Sequence, residues 1–118
     1  MSNRTVKAAT ILFLSAIFMV QTAFAVQLRK VTDTSHVCMV NNEVMGKPQI
    51  PVKVGEQTYY GCCKMCVGNI QQNRKVRFAI DPVSGKEVDK ARAVIGAKPD
   101  GGVLYFENEK NFQAFTLK

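Results

Sequence analysis

Four cysteines, Cys38, Cys62, Cys63 and Cys66, and the single histidine, His36, are the residues of this chain best suited to chemistry. Three of the thiols crowd into five positions, and the spacing reads Cys, 23 residues, Cys, three residues, Cys for Cys38, Cys62 and Cys66. Residues four apart lie on one face of a helix, so Cys62 and Cys66 come within reach of a shared ion, and a hairpin before them would return the chain to Cys38. At a helix start the free amides and the dipole favour thiolate over thiol, and Lys64 adds positive charge. Three thiolates suit Zn(II) or Cu(I) and suit Mg(II) or Ca(II) poorly; Met39, Met45 and Met65 tilt the balance toward Cu(I) if they are ligands rather than core packing. Cys63 or His36 is the candidate for a fourth position.

Two other uses of the thiols stay open. Cys63-Lys64-Met65-Cys66 is a Cys-x-x-Cys sequence and would suit a thiol-disulfide oxidoreductase, although no βαβ unit precedes it. Alternatively, Cys38 bridges to one of the cluster and the protein is a disulfide-stapled scaffold or adaptor. The crowding argues against a plain stapling role, because a Cys63 to Cys66 bridge closes too short a loop to stabilise a fold much.

The elements that must position these residues are legible in outline. A polar lead is followed by a Cys-bearing loop over 37–51. Val52-Lys53-Val54, a turn at Gly55-Glu56 and Thr58-Tyr59-Tyr60 predict a hairpin. The segment 62–73 predicts a short helix with Met65, Val67 and Ile70 available for one face. Val76 to Ile80 reads as a strand, Asp81-Pro82 and Ser84-Gly85 as a turn, and Gly101-Gly102 as a hairpin turn. Val103 to Phe106 reads as a strand, and Asn108 as the cap of a last helix carrying Phe112 and Phe115.

The second half parallels the first. A shift of 45 carries Tyr60 to Tyr105, Cys62 to Glu107, Cys66 to Asn111 and Ile70 to Phe115, and a shift of 46 carries Cys38 to Ser84. Both halves read as a turn-forming loop, a hairpin ending in an aromatic strand and a short helix, with thiols in the first alone.

The N-terminal segment has the form of an export signal. Arg4 and Lys7 precede an apolar run over 8–20, and Ala23-Phe24-Ala25 places small residues where a signal peptidase cuts. The run is shorter than the ~20 residues of a membrane-spanning helix, and no Cys at the cleavage point would carry a lipid. The expected organisation is a cleaved signal over 1–25, a lead over 26–36, a Cys-bearing unit over 37–75 and a thiol-free unit over 76–118. A periplasmic or secreted location follows, with no membrane contact after cleavage.

Of 118 residues, 47% are hydrophobic and 21% charged, which describes a small globular domain rather than a disordered chain. The net charge of +7 comes from 16 Lys plus Arg against 9 Asp plus Glu. Arg74, Lys75 and Arg77 form the one short basic cluster; with no nucleic-acid motif beside it, it reads as a solvated face and not a nucleic-acid site. No Ser, His, Asp arrangement builds around the single His36, and no phosphate-binding loop or spaced carboxylate pair stands out, so hydrolase and nucleotide-binding functions are disfavoured and no enzyme is expected.

Val37-Cys38-Met39 and the run Tyr59-Tyr60-Gly61-Cys62-Cys63-Lys64-Met65-Cys66 resemble the TRASH/YHS type of small heavy-metal-binding domain, with Ile70 where that family usually has an aromatic. Asp81-Pro82-Val83-Ser84-Gly85-Lys86-Glu87-Val88 looks like the family's opening sequence with Ser84 in place of Cys. The chain departs from the pattern in a slightly longer first gap, in the extra thiol of Cys63, and in Ser35-His36 where Asp-Pro is usual. The resemblance implies an α+β fold of zinc-ribbon or treble-clef-like hairpin-helix units, here two in tandem packed as one domain. It also implies a role in heavy-metal trafficking, resistance or sensing, with a metal transporter or chaperone as partner.

Overall fold

A computed structural model describes residues 27–117; the expected signal over 1–25 lies outside them. The chain folds as a small α+β domain of antiparallel sheets and short helices. No helix among the described residues is long and apolar enough to cross a membrane.

The first half runs through a short two-stranded turn, a hairpin and a helix. β2 (Val37–Cys38) pairs with β3 (Glu43–Val44), Cys38 opposite Glu43. β4 (Ile50–Val54) and β5 (Gln57–Gly61) form the expected hairpin, turning at Gly55, whose φ of +61° suits glycine at the first turn position. Pro51 is accepted in β4 because that strand has a partner on one side only. Alternation then puts Val52 and Tyr59 inside and Lys53 outside. The helix α1 (Lys64–Gln72) buries Cys66 and Ile70, four apart on one face. It begins two residues later than the sequence predicts: Cys63 is its N-cap, and Cys62 sits in the strand-to-helix turn.

The second half repeats that order. β6 (Phe78–Ile80) pairs with β7 (Glu87–Asp89), β8 (Val94–Ala97) with β9 (Val103–Phe106), and α3 (Glu109–Thr116) follows. The predicted strand over 76–80 is a strand only from Phe78. Arg74–Arg77 form a single helical turn, α2, because the Asn73 side chain accepts the Lys75 amide at 3.1 Å and Arg77 donates to the Ile70 carbonyl at 2.6 Å. Of the basic cluster, Arg74 also pairs with Glu87 at 2.6 Å and lies 4.1 Å above the Phe78 ring. The lead contributes β1 (Arg29–Lys30), which adds an edge strand to β8.

One core joins the halves. Val37, Met39, Val52 and Ile70 from the first meet Ile95, Val103 and Tyr105 from the second. Backbone hydrogen bonds stitch the same seam: the Val44 amide donates to the Gly101 carbonyl and the Val103 amide to the Asn42 carbonyl, each at 2.9 Å. The turn that carries Cys38 therefore rests on the second half.

Candidate metal centre

Three elements bring three thiols together. Cys38 ends β2, Cys62 follows β5, and Cys66 lies in the first turns of α1; their Sγ atoms all fall within 4.8 Å of one another. The Cys62 and Cys66 sulfurs are 3.5 Å apart. Cys38 and Cys66 are buried and Cys62 is half-buried, and all four cysteines are free thiols.

Each approach has a local cause. The 38–42 turn closes through the Asn42 amide, which donates to the Cys38 carbonyl at 2.8 Å, with Asn42 in the left-handed region at φ +56°. Asn42 is held there because its side-chain oxygen accepts from both Lys90 Nζ and the Tyr105 hydroxyl at 2.9 Å. The same Lys90 Nζ donates to the Met39 carbonyl at 2.7 Å, and the Met39 amide donates to the Tyr60 carbonyl at 2.9 Å. The turn is thereby fixed against the end of β5, next to Cys62. On the helix side, Gly61 permits the approach of α1: a Cβ on it would stand 3.0 Å from the Cys66 Cβ and 3.3 Å from Ile70 Cδ1.

The thiols share one electrostatic problem. Burial pushes the Cys38 thiol up, but the amides of Asn41 and Val40 more than offset this, so its pKa ends below the ordinary value. The Asn41 amide reaches the Cys38 sulfur, and the Asn41 side chain the Cys62 sulfur, both at 3.5 Å. Cys62 is pushed up to about 12 by its contacts with the Cys66 and Cys38 sulfurs, and burial raises Cys66. Without a cation, one negative charge in the cluster suppresses the others. Burial lowers Lys90 to about 8, while the charge at Cys38 works to keep it protonated.

The other candidate residues sit apart from this convergence. Cys63 is exposed and its sulfur lies 3.5 Å from that of Cys66, outside the group of three. His36 is likewise outside the group; its Nε2 lies 3.4 Å from an Asp33 carboxylate oxygen. Met39 is fully buried in the core, Met45 is half-buried, and Met65 is 79% exposed on α1.

Sequence reasoning missed Asn41, Asn42, Lys90 and Gly61. The Asn41-Asn42 pair after Cys38 was the available signal, since Asn tolerates the left-handed conformation and closes turns. Nothing in Asp89-Lys90-Ala91-Arg92 marks one lysine as buried.

The second half contains a matching cluster without sulfur, and there the expected correspondence of Ser84 with Cys38 is corrected. The Gly85 amide donates to the Asp81 carbonyl at 2.9 Å, as the Asn42 amide does to Cys38, and Gly85 has φ +72°. The Ser84 amide reaches Asp81 Oδ1 at 3.1 Å, as the Asn41 amide reaches the Cys38 sulfur. Asp81, not Ser84, therefore stands where Cys38 does. Its other oxygen accepts from the Glu107 amide at 2.8 Å and from the Asn111 side chain at 2.9 Å, and Glu107 and Asn111 are the positions of Cys62 and Cys66.

The zinc–sulfur bond is about 2.3 Å long, which puts sulfurs bound to one ion roughly 3.8–4 Å apart. The thiol cluster needs only small adjustments to reach that spacing. Three sulfur donors of this kind fit a soft ion. Comparison with known proteins finds no matching family model, no matching curated protein and no matching solved structure.

Proposed function

We propose that this chain is an exported soft-metal-binding protein. It takes Cu(I) or Zn(II) as cargo on Cys38, Cys62 and Cys66 and serves metal trafficking, resistance or sensing rather than catalysis. The observation that carries the proposal is the convergence of three free sulfurs, from a turn, a strand end and a helix, within 4.8 Å. Cys38 is 24 residues before Cys62 in sequence, and the Asn41 amide of its turn is aimed at its sulfur. The TRASH/YHS resemblance points the same way. A metal transporter or chaperone is the partner this role requires.

X-ray absorption on protein loaded separately with Zn(II) and Cu(I) tests the proposal. The expected result is one ion per chain, bound by at least three sulfurs at about 2.3 Å. Coordination dominated by nitrogen and oxygen, or no stoichiometric uptake of either ion, contradicts it.

A redox reading has one observation in its favour. Cys63 is an exposed helix N-cap whose thiol is held below its ordinary value by the Cys66 amide. It predicts that the protein, as isolated, exchanges a Cys63–Cys66 disulfide with small thiols.

A further inference from the structure

The metal reading leaves Cys63 without a task, although the helix bears a cost for having it. Cys63 and Asn108 are matched N-caps, with φ and ψ of −155° and 174° at the first and −157° and 172° at the second. Asn108 uses its side chain as caps usually do, accepting the Asn111 amide at 2.8 Å. Cys63 makes no side-chain cap hydrogen bond. Its thiol instead faces solvent with its sulfur 3.5 Å from the buried Cys66, which is 6% exposed. Met65, 79% exposed, adds a second soft sulfur to the same helix start. Cys38 is fully buried, so an incoming ion cannot meet it first.

We propose that Cys63 is the exchange ligand through which the metal enters and leaves the three-thiol site, receiving it from thiolates of a donor protein or small thiol and passing it inward to Cys66. The inference rests on the metal-binding reading above. At each step one metal–sulfur bond forms as another breaks. From a donor that holds the ion on three sulfurs, Cys63 displaces the first donor thiolate, Cys66, 3.5 Å away, the second and Cys62 the third, and Cys38 then displaces Cys63, which takes up a proton as it leaves. The ion keeps its oxidation state. Each chain thiol gives its proton to solvent as it binds, and each departing donor thiolate takes one up. Release runs the same steps in reverse, so the acceptor must also present thiolate or thioether sulfur. Cys63 lies beside Cys66 at the exposed edge of the cluster and outside the group of three mutually close sulfurs, the place of an entry ligand.

The test is stopped-flow loading of the reduced, metal-free full chain from a Cu(I)–glutathione complex, with equilibrium affinity measured separately by competition with a chromophoric chelator. Cys63→Ser and Cys63→Asn both supply good caps, and Asn is the residue at the matched position. Both variants are expected to bind one Cu(I) with affinity within about threefold of the unsubstituted protein and to load about tenfold or more slowly, since exchange routes act on rates more than on equilibria. Unchanged loading rates in both variants overturn the inference. So does loss of Cu(I) binding in variants that circular dichroism finds folded, which would make Cys63 a permanent ligand. If the unsubstituted chain takes up no Cu(I), the metal reading itself fails, a result distinct from either.

Discussion

The two halves of this protein close the same backbone arrangement by different chemistry. In the second, Asp81 is fully buried and both its oxygens are satisfied: Oδ1 accepts the Val83 and Ser84 amides, and Oδ2 the Glu107 amide and the Asn111 side chain. One carboxylate thus ties turn, strand end and helix together without help. In the first, Cys38, Cys62 and Cys66 occupy the same three places, and sulfur–sulfur contacts give little attraction of their own. The difference teaches that one half satisfies its buried cluster with its own hydrogen bonds, while the other gathers three thiols that a bound cation would tie together. The second half also holds the first in place, through Lys90 and Tyr105 on Asn42. The turn that carries Cys38 is then backed by a part of the fold that contains no thiol.

The largest expected effect comes from removing sulfur from the first half. Cys62→Ser and Cys66→Ser should each abolish stoichiometric metal binding, a loss of about 4 kcal/mol or more, roughly a thousandfold in affinity. Chelator competition measures it, and equal loss in Cys63→Ser would break the distinction between buried and exposed thiols.

The reciprocal change, Asp81→Ala, should leave three backbone amides and the Asn111 amide group unpaired in a buried place, destabilising the protein by about 3 kcal/mol in urea unfolding. Added metal should not restore it.

The pH dependence of that half follows from the same bonds. Burial alone would raise Asp81, but the Glu107 amide and the Asn111 side chain, with the Val83 and Ser84 amides, more than offset it and hold the carboxyl below its ordinary value. A carboxylate whose folded pKa is depressed contributes stability above its unfolded pKa, about 3.9, and loses it as pH falls through the lower folded value. Acid titration of the metal-free protein should therefore find this contribution intact down to about pH 4 and lost below. In Asp81→Asn that acid-dependent contribution should be absent.

The smallest effect sharpens the comparison at the helix starts. Asn108→Ala should cost about 1 kcal/mol, whereas Cys63→Asn should stabilise the metal-free protein by up to about 1 kcal/mol, because only the first removes a working cap. Thermal unfolding of the two variants checks the opposite signs.

Much of this arrangement was legible in the residues. The hairpin read over 52–60, which extends in the structure to 50–61, the strand Val103–Phe106 and the Asn108 cap follow from alternation and capping chemistry, signals carried by neighbouring residues. The spacing predicted that Cys38, Cys62 and Cys66 would meet, and their sulfurs do converge. What escaped depends on contacts between distant segments. β2 and β3 are two residues each, too short for any periodicity, and exist because Asn42 is pinned by Lys90 and Tyr105. Ser84 looked like the partner of Cys38 because a shift of 46 aligns them and Asp81-Pro82-Val83-Ser84-Gly85 resembles the family's opening sequence with Ser in place of Cys. The structural partner is Asp81, three positions earlier, and only the hydrogen bonds to Gly85 and Glu107 reveal it. Lys90, buried between the halves, reads in sequence as an ordinary surface lysine.

The most direct test of the central claim is native mass spectrometry of the chain isolated from its native cells, without added metal or reductant. One spectrum reports bound ions by added mass and disulfides by lost hydrogens. The account predicts one Cu or Zn per chain with no disulfide among Cys38, Cys62 and Cys66. A metal-free mass short by four hydrogens, meaning two disulfides, would contradict it.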